Sequence, residues 1–191
     1  MKQSYHHMNL RNELIEAGIN MVQEVGVSKL SLRKLASICG VSEAAPYKHF
    51  ASKENLLSAM QEYVTQQLMT CLQRAVECTE QSHPTEAILH MGKAYVLFFM
   101  NNPEYYAFLF LHSNLSINLS ANENLESYPP FQYYRNQVFQ VYRTLGYPDD
   151  RIQYGLIAMW AKVHGIVAII AMKNVVIDFD WEQVLEQILI E

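Results

Sequence analysis

The stretch SLRKLASICGVSEAAPYKHF, residues 31–50, constrains the fold more than any other part of the chain. Ser31 stands where it can cap a short helix whose apolar residues Leu32, Leu35, Ala36 and Cys39 follow helical spacing. Gly40 supplies the left-handed residue that stops it. Ala36, four residues before the glycine, is small enough to let a second helix approach. Leu35, Cys39, Val41 and Phe50 are expected to be buried, and Ser42 to begin a very short helix over about residues 43–50. The spacing is that of a helix-turn-helix. Helix pairs about a glycine also occur in all-α proteins that never meet nucleic acid, so spacing alone leaves both readings open. Pro46 adds a constraint. As the fourth helical residue after a cap at Ser42, its ring would meet the Ser42 carbonyl. The first turn is therefore expected to be loosened or 3₁₀-like, or the helix to start late, with Tyr47, Lys48 and His49 as the presenting turn.

Elsewhere the punctuation gives about nine helical runs and no convincing strand pattern, which predicts an all-α fold. The first run extends from about residue 7 to Val25, with Leu10, Leu14, Met21, Val22 and Val25 near one face, and ends at Gly26. A long helix starts near Ser52 and carries the stripe Leu56, Met60, Val64, Leu68, Leu72 and Val76. Pro84 and Pro103 each open another helix. The polar stretch 113–130 reads as a long loop. A helix over about 130–145 is stopped by Gly146, PDD caps one over about 150–173, and Asp180 caps the last. The boundary is expected inside the long helix, giving a helix-turn-helix domain over 1–62 and a larger helical domain over 63–191, with no flexible linker.

Half the residues are hydrophobic and 17% are charged, so a packed core is expected and disorder is not. Three cysteines are too few and too odd in number for a disulfide framework, and the N-terminus lacks an apolar signal region. A cytoplasmic, reduced protein is the simplest reading. Residues 1–62 carry seven Lys/Arg against six Asp/Glu, a net of +1, while residues 63–191 carry seven against thirteen, a net of −6. The N-terminal end is the one that tolerates a phosphate backbone.

LSLRKLASICGVSEAAPYKHFASKENLLSAM, residues 30–60, resembles the DNA-binding domain of the TetR family of transcriptional regulators through its Gly-Val-Ser turn, Tyr-x-His-Phe ending and Ser-Lys-Glu helix start. MWAKVHGIVAI, residues 159–169, is similar to the Trp-x-x-Val-His-Gly segment of one TetR subfamily, which also tends to carry Ala-Pro-Tyr before the His-Phe. The resemblance implies a homodimeric, ligand-responsive regulator, usually a repressor, on a palindromic double-stranded DNA operator. It implies that Tyr47 and His49 reach the DNA backbone, the Tyr47 ring also lying against a base edge or thymine methyl. Lys48 and Lys53 would contact phosphates, Lys53 beside the free N–H groups of its helix. Ser31 and Arg33 would bond to the opposite strand. Ser42 opens the helix offered to the groove, whose floor Glu43, Ala44 and Ala45 face, and of these three only Glu43 can read a base by hydrogen bonding. Many family members place Gly or Lys there, so shape and apolar contact are expected to matter more here.

Residues 95–147 hold fourteen of the twenty-two aromatic residues. Tyr95, Phe99, Phe108, Phe131 and Tyr134, with Trp160 and His164, are candidates to line a pocket for a small apolar or amphipathic effector, with packed core as the plainer alternative. The segment from Gly155 to Met172 is apolar apart from Lys162 and His164. Lys162 at its middle and its acidic flanks argue against a membrane span. Its small-residue stripe Ala158, Ala161, Gly165, Ala168 and Met172 instead suits close packing against a second copy, joined by Trp181, Leu185 and Ile188 of the last helix. Opposite lie Trp160, Val163, Val167 and Ile170. His164 is expected to hydrogen-bond rather than bind metal. Cys71 and Cys78, with His83 and His90, do not have zinc-site spacing. Neither a glycine-rich loop, a nucleophile elbow nor paired carboxylates suggests catalysis, and no cofactor is expected. The rival readings are an all-α small-molecule-binding protein without functional DNA binding, and a small-molecule enzyme.

Overall fold

Amphipathic periodicity broken by proline and glycine yields helices at every step along this chain. The computed structural model describes residues 9–79, 84–120, 126–172 and 174–190, and among them every regular element is helical. In order these are α1 (Leu10–Val25), α2 (Leu32–Ile38), α3 (Lys53–Glu77), α4 (Pro84–Asn101), α5 (Pro103–Tyr106), α6 (Pro129–Thr144), α7 (Asp149–Ile170) and α8 (Trp181–Ile190). Two 3₁₀ turns, Val27–Lys29 and Pro46–Lys48, and a π-helical turn, Ala107–Leu111, complete the set. The all-α expectation holds, with eight α-helices where about nine helical runs were expected. The difference is the segment 43–50, which holds the 3₁₀ turn Pro46–Lys48 and no α-helix.

The chain divides into two units. One comprises the residues up to Val64 together with Glu104–Asn114; the other runs from Thr65 to Pro103 and resumes at Leu115. The larger unit is thus interrupted, unlike the continuous 63–191 domain expected from sequence.

In the first unit α1 buries Leu14, Ile15, Ile19 and Val22 completely, but Val25 at its end is exposed rather than part of that face. Gly18 permits a close approach. A Cβ there would lie 3.1 Å from Met60 Sδ of α3 and 3.7 Å from Leu35 Cδ1 of α2. Tyr105 ties the Glu104–Asn114 segment to α1, its hydroxyl donating to Glu16 Oε1 at 2.6 Å. Burial first, and then this bond, push the Tyr105 phenol above its ordinary pKa.

In the second unit α4 packs on α6, α7 and α8, and α6 packs on α7. Pro84 begins α4 as expected, and Asp180 caps α8, its Oδ1 accepting from the Glu182 N–H at 3.0 Å. At α7 the expected cap is displaced: Pro148 occupies the N-cap position, and Asp149 and Asp150 lie in the first turn, where their charge suits the helix N-terminus. α7 ends at Ile170, so Met172 lies beyond it rather than on its stripe. By length and composition α7 could cross a membrane, yet Ile152, Leu156, Val163, Ile166 and Val167 are buried within the unit.

Candidate nucleic-acid interface and ligand-binding region

Local backbone chemistry builds the presenting surface of the first unit. At the end of α2 the Val41 N–H reaches the Ala36 carbonyl at 2.9 Å and the Gly40 N–H reaches Ser37 O at 3.2 Å, a Schellman motif closed by Gly40 at φ 68°. Ser31 holds the N-cap position of α2 but makes no side-chain capping bond, a departure from the expected cap. Cys39 and Val41 are half-buried rather than buried, while Leu35 and Phe50 are in the core.

Pro46 sets the path of the next turn. In an α-helix the Ser42 carbonyl would pair with residue 46, which has no N–H to give. Here Ser42 O accepts from the Ala45 N–H at 2.9 Å instead, and Ala45 O and Pro46 O take the N–H groups of Lys48 (3.2 Å) and His49 (2.9 Å). The expected 3₁₀ character is present, but no α-helix succeeds it. The Phe50 N–H closes the turn on Pro46 O at 2.9 Å, and Ser52 then caps α3, its hydroxyl accepting from the Asn55 N–H at 3.2 Å.

The buried faces of Pro46 and Phe50 leave Tyr47 (51% exposed), Lys48 and His49 turned outward. Ser42, Glu43 and Ala44 are exposed too, while Ala45 and Ser31 are half-buried. Three candidates are already engaged. Arg33 Nε lies 3.5 Å from Glu43 Oε2, an exposed pair worth little in stability but one that draws the Glu43 carboxylate toward α2. Lys53, half-buried at the first position of α3, donates from Nζ to the Ser28 carbonyl at 3.3 Å.

In the second unit the aromatic candidates separate. Tyr95, Phe99, Phe131, Trp160 and His164 meet ring on ring: Trp160 stacks on His164 at 4.9 Å, Phe131 meets Trp160 at 5.4 Å, and Tyr95 meets Phe99 at 5.0 Å. The hydrogen bond expected of His164 is made, with Nδ1 2.9 Å from the Tyr95 hydroxyl oxygen. Burial holds the imidazole below its ordinary pKa, toward the neutral form. Phe108 belongs to the other unit, in the π-helical turn. Tyr134 instead lines an open cleft of about 270 Å³ among α4, α6, α7 and α8, where Ile88, Leu89, Val163 and Leu189 supply apolar walls and Lys162 a charge.

The stripe expected to pair with a second copy is open in the single chain. Ala158 and Ala161 are exposed, Gly165 and Ala168 half-exposed, and a Cβ on Gly165 would meet nothing within 4 Å. Trp181 and Ile188 are partly exposed, but Leu185 is completely buried on the inner side of α8 and cannot face a partner. Of the cysteines, Cys71 donates weakly to Ala94 O at 3.7 Å and Cys78 is exposed. His90 Nδ1 lies 2.9 Å from Thr79 Oγ1, and His83 lies outside the described residues. Among the described residues no group of three metal-ligating side chains forms. Arg135 is not among the residues the sequence singles out, although its place among Phe131, Val138 and Phe139 at helical spacing signals burial.

Residues 14–60 match the family described as bacterial regulatory proteins, tetR family. The N-terminal domain is a TetR-family helix-turn-helix domain. Among curated proteins, the nucleoid occlusion factor SlmA of Vibrio campbellii is 37% identical over 70 residues, covering 36% of each chain. That of Vibrio vulnificus is 32% identical over 96 residues, covering 50% of this chain and 48% of the relative. The chain thus spans at most about half the length of these two relatives. Similarity to solved structures extends further. A protein with unknown function from Rhodococcus sp. RHA1 has a TM-score of 0.68 at 25% identity, with 99% of this chain and 94% of that one covered. The TetR family transcriptional regulator PfmR from Thermus thermophilus has a TM-score of 0.64 at 18% identity, covering 92% and 94%. The whole chain therefore has a TetR-like fold.

Proposed function

We propose that the protein is a dimeric DNA-binding transcriptional regulator of TetR type, a repressor that responds to a small apolar or amphipathic effector in the cytoplasm. One observation carries the reading: within a domain matching the tetR family, a rigid turn anchored by buried Pro46 and Phe50 turns Tyr47, Lys48 and His49 outward together. Tyr47 and His49 meet the backbone of one strand, Lys48 and Lys53 its phosphates, and Ser31 and Arg33 the other strand. Two such turns in a dimer engage half-sites about one helical turn apart on a palindromic operator. The Trp-x-x-Val-His-Gly segment on α7 supports a place in the subfamily bearing it.

A gel shift with the DNA upstream of the protein's own coding sequence tests this. Tyr47→Ala combined with Lys48→Ala is expected to remove specific binding, and Lys48→Ala alone to lower the salt slope of log K by about 1. Unchanged binding by the double variant sinks the assignment. Pro46→Leu supplies the missing N–H to the Ser42 carbonyl and lets an α-helix form, turning each later residue by roughly 20° relative to the 3₁₀ path. Operator affinity is expected to fall and the preferred sequence to change; identical affinity and preference would remove Pro46 from operator recognition.

A further inference from the structure

Among the described residues Arg135 is the one charged side chain in the core, 2% exposed on the inner face of α6. Its terminal nitrogens Nη1 and Nη2 are buried and, among the described residues, have no hydrogen-bond partner. Arginine cannot shed its charge as a buried lysine or histidine does, so the guanidinium stays cationic and its unmet donors stay costly. The Phe139 ring compensates in part, its centroid 5.4 Å from the guanidinium carbon. Chains seldom keep such a group without an acceptor to meet it.

The surroundings narrow what that acceptor is. Arg135 lines a cleft of about 330 Å³ along α6 with Asn136, Phe139, Gln140 and Arg143. Arg143 lies over the same Phe139 ring at 5.0 Å, but its Nε and Nη2 donate to the two carboxylate oxygens of Asp149 at 2.8 and 2.7 Å. One cation of the pair is thus neutralised within the chain and the other is not. We propose that Arg135 is the anion-recognising group of a binding site for an organic monocarboxylate with an apolar body. The two terminal nitrogens of a guanidinium match the two oxygens of a carboxylate in bidentate geometry. A single negative charge balances the single unmet positive one, whereas a phosphate dianion brings one charge too many into a buried place. A neutral amide of the same shape offers one acceptor oxygen in place of two and leaves the positive charge unbalanced. The Phe139 ring gives the apolar body a surface beside the charged head.

The site does not depend on DNA binding, and its test uses the protein alone, so its failure is separate from failure of the regulator reading. Octanoate, its neutral isostere octanamide and inorganic phosphate are titrated into the full chain by calorimetry, with melting temperature recorded in parallel. Octanoate is expected to bind and raise the melting temperature, with octanamide and phosphate weaker by about tenfold or more. Arg135→Met fills the same space without charge. It is expected to melt no lower than the parent without ligand and to lose octanoate binding by about tenfold or more. The comparison of octanoate with octanamide on the unsubstituted protein needs no variant and decides the matter if Arg135→Met misfolds. The proposal is overturned by any of these: no octanoate binding, octanamide or phosphate binding as tightly, or a folded Arg135→Met that keeps the parent's octanoate affinity.

Discussion

Phe50→Ala is expected to destabilise the N-terminal unit by about 3–5 kcal/mol, the usual cost of removing a fully buried phenylalanine. The side chain is 2% exposed and forms the floor of the presenting turn. The Arg11 guanidinium sits 5.6 Å above its ring and the His49 imidazole is 6.3 Å from it. Alanine keeps the backbone bond from residue 50 to Pro46 O, so the turn loses its anchor without losing its hydrogen bonds. Amide hydrogen exchange separates the effect by region. Protection of α1 and α2 should fall by several orders of magnitude, whereas α4, α6 and α7, in the other unit, should be little affected. Operator binding should be lost with it. Unchanged protection in α1 and α2 would show that the turn does not depend on Phe50.

Ala161→Glu is expected to separate the proposed dimer into single chains. Ala161 is exposed in one chain, so a carboxylate there costs the isolated chain almost nothing. The same helix exposes Tyr154 and Ile169, and beyond its end Met172 is exposed and Val176 is 97% exposed. Pairing through this face would bury the new carboxylate without a partner, a cost of about 3–5 kcal/mol and hence a loss of roughly 10²–10⁴ in dimer affinity. Light scattering should show the mass halved, while the helical circular dichroism of the chain is kept. A mass unchanged from the parent would remove α7 from the interface.

How much of the fold and of the site is legible in the sequence differs from residue to residue. Gly40 announces its turn because a left-handed backbone excludes most other residues, and Pro46 announces the 3₁₀ turn because its nitrogen has no proton to share. Both effects act over four or five residues. Phe108 misleads for the opposite reason. An apolar ring at helical spacing says that a side chain is buried but not which neighbours bury it, and Glu104–Asn114 clusters with α1. Leu185 shows the same ambiguity: the apolar face of α8 is clear in the sequence, but Leu185 itself is buried within the chain.

The sequence by itself determined the all-α class, the helix starts at Ser52, Pro84 and Pro103, the Schellman turn at Gly40 and the outward triplet Tyr47-Lys48-His49. These result from dihedral limits and from donors and acceptors supplied within a few residues. Only the tertiary structure decided that Tyr95 bonds His164, that Lys53 reaches Ser28 and that Arg135 is enclosed with two donors unmet. Those outcomes join residues distant in the chain, or depend on what encloses them, and many aromatic and aliphatic side chains satisfy the same local pattern until packing selects among them.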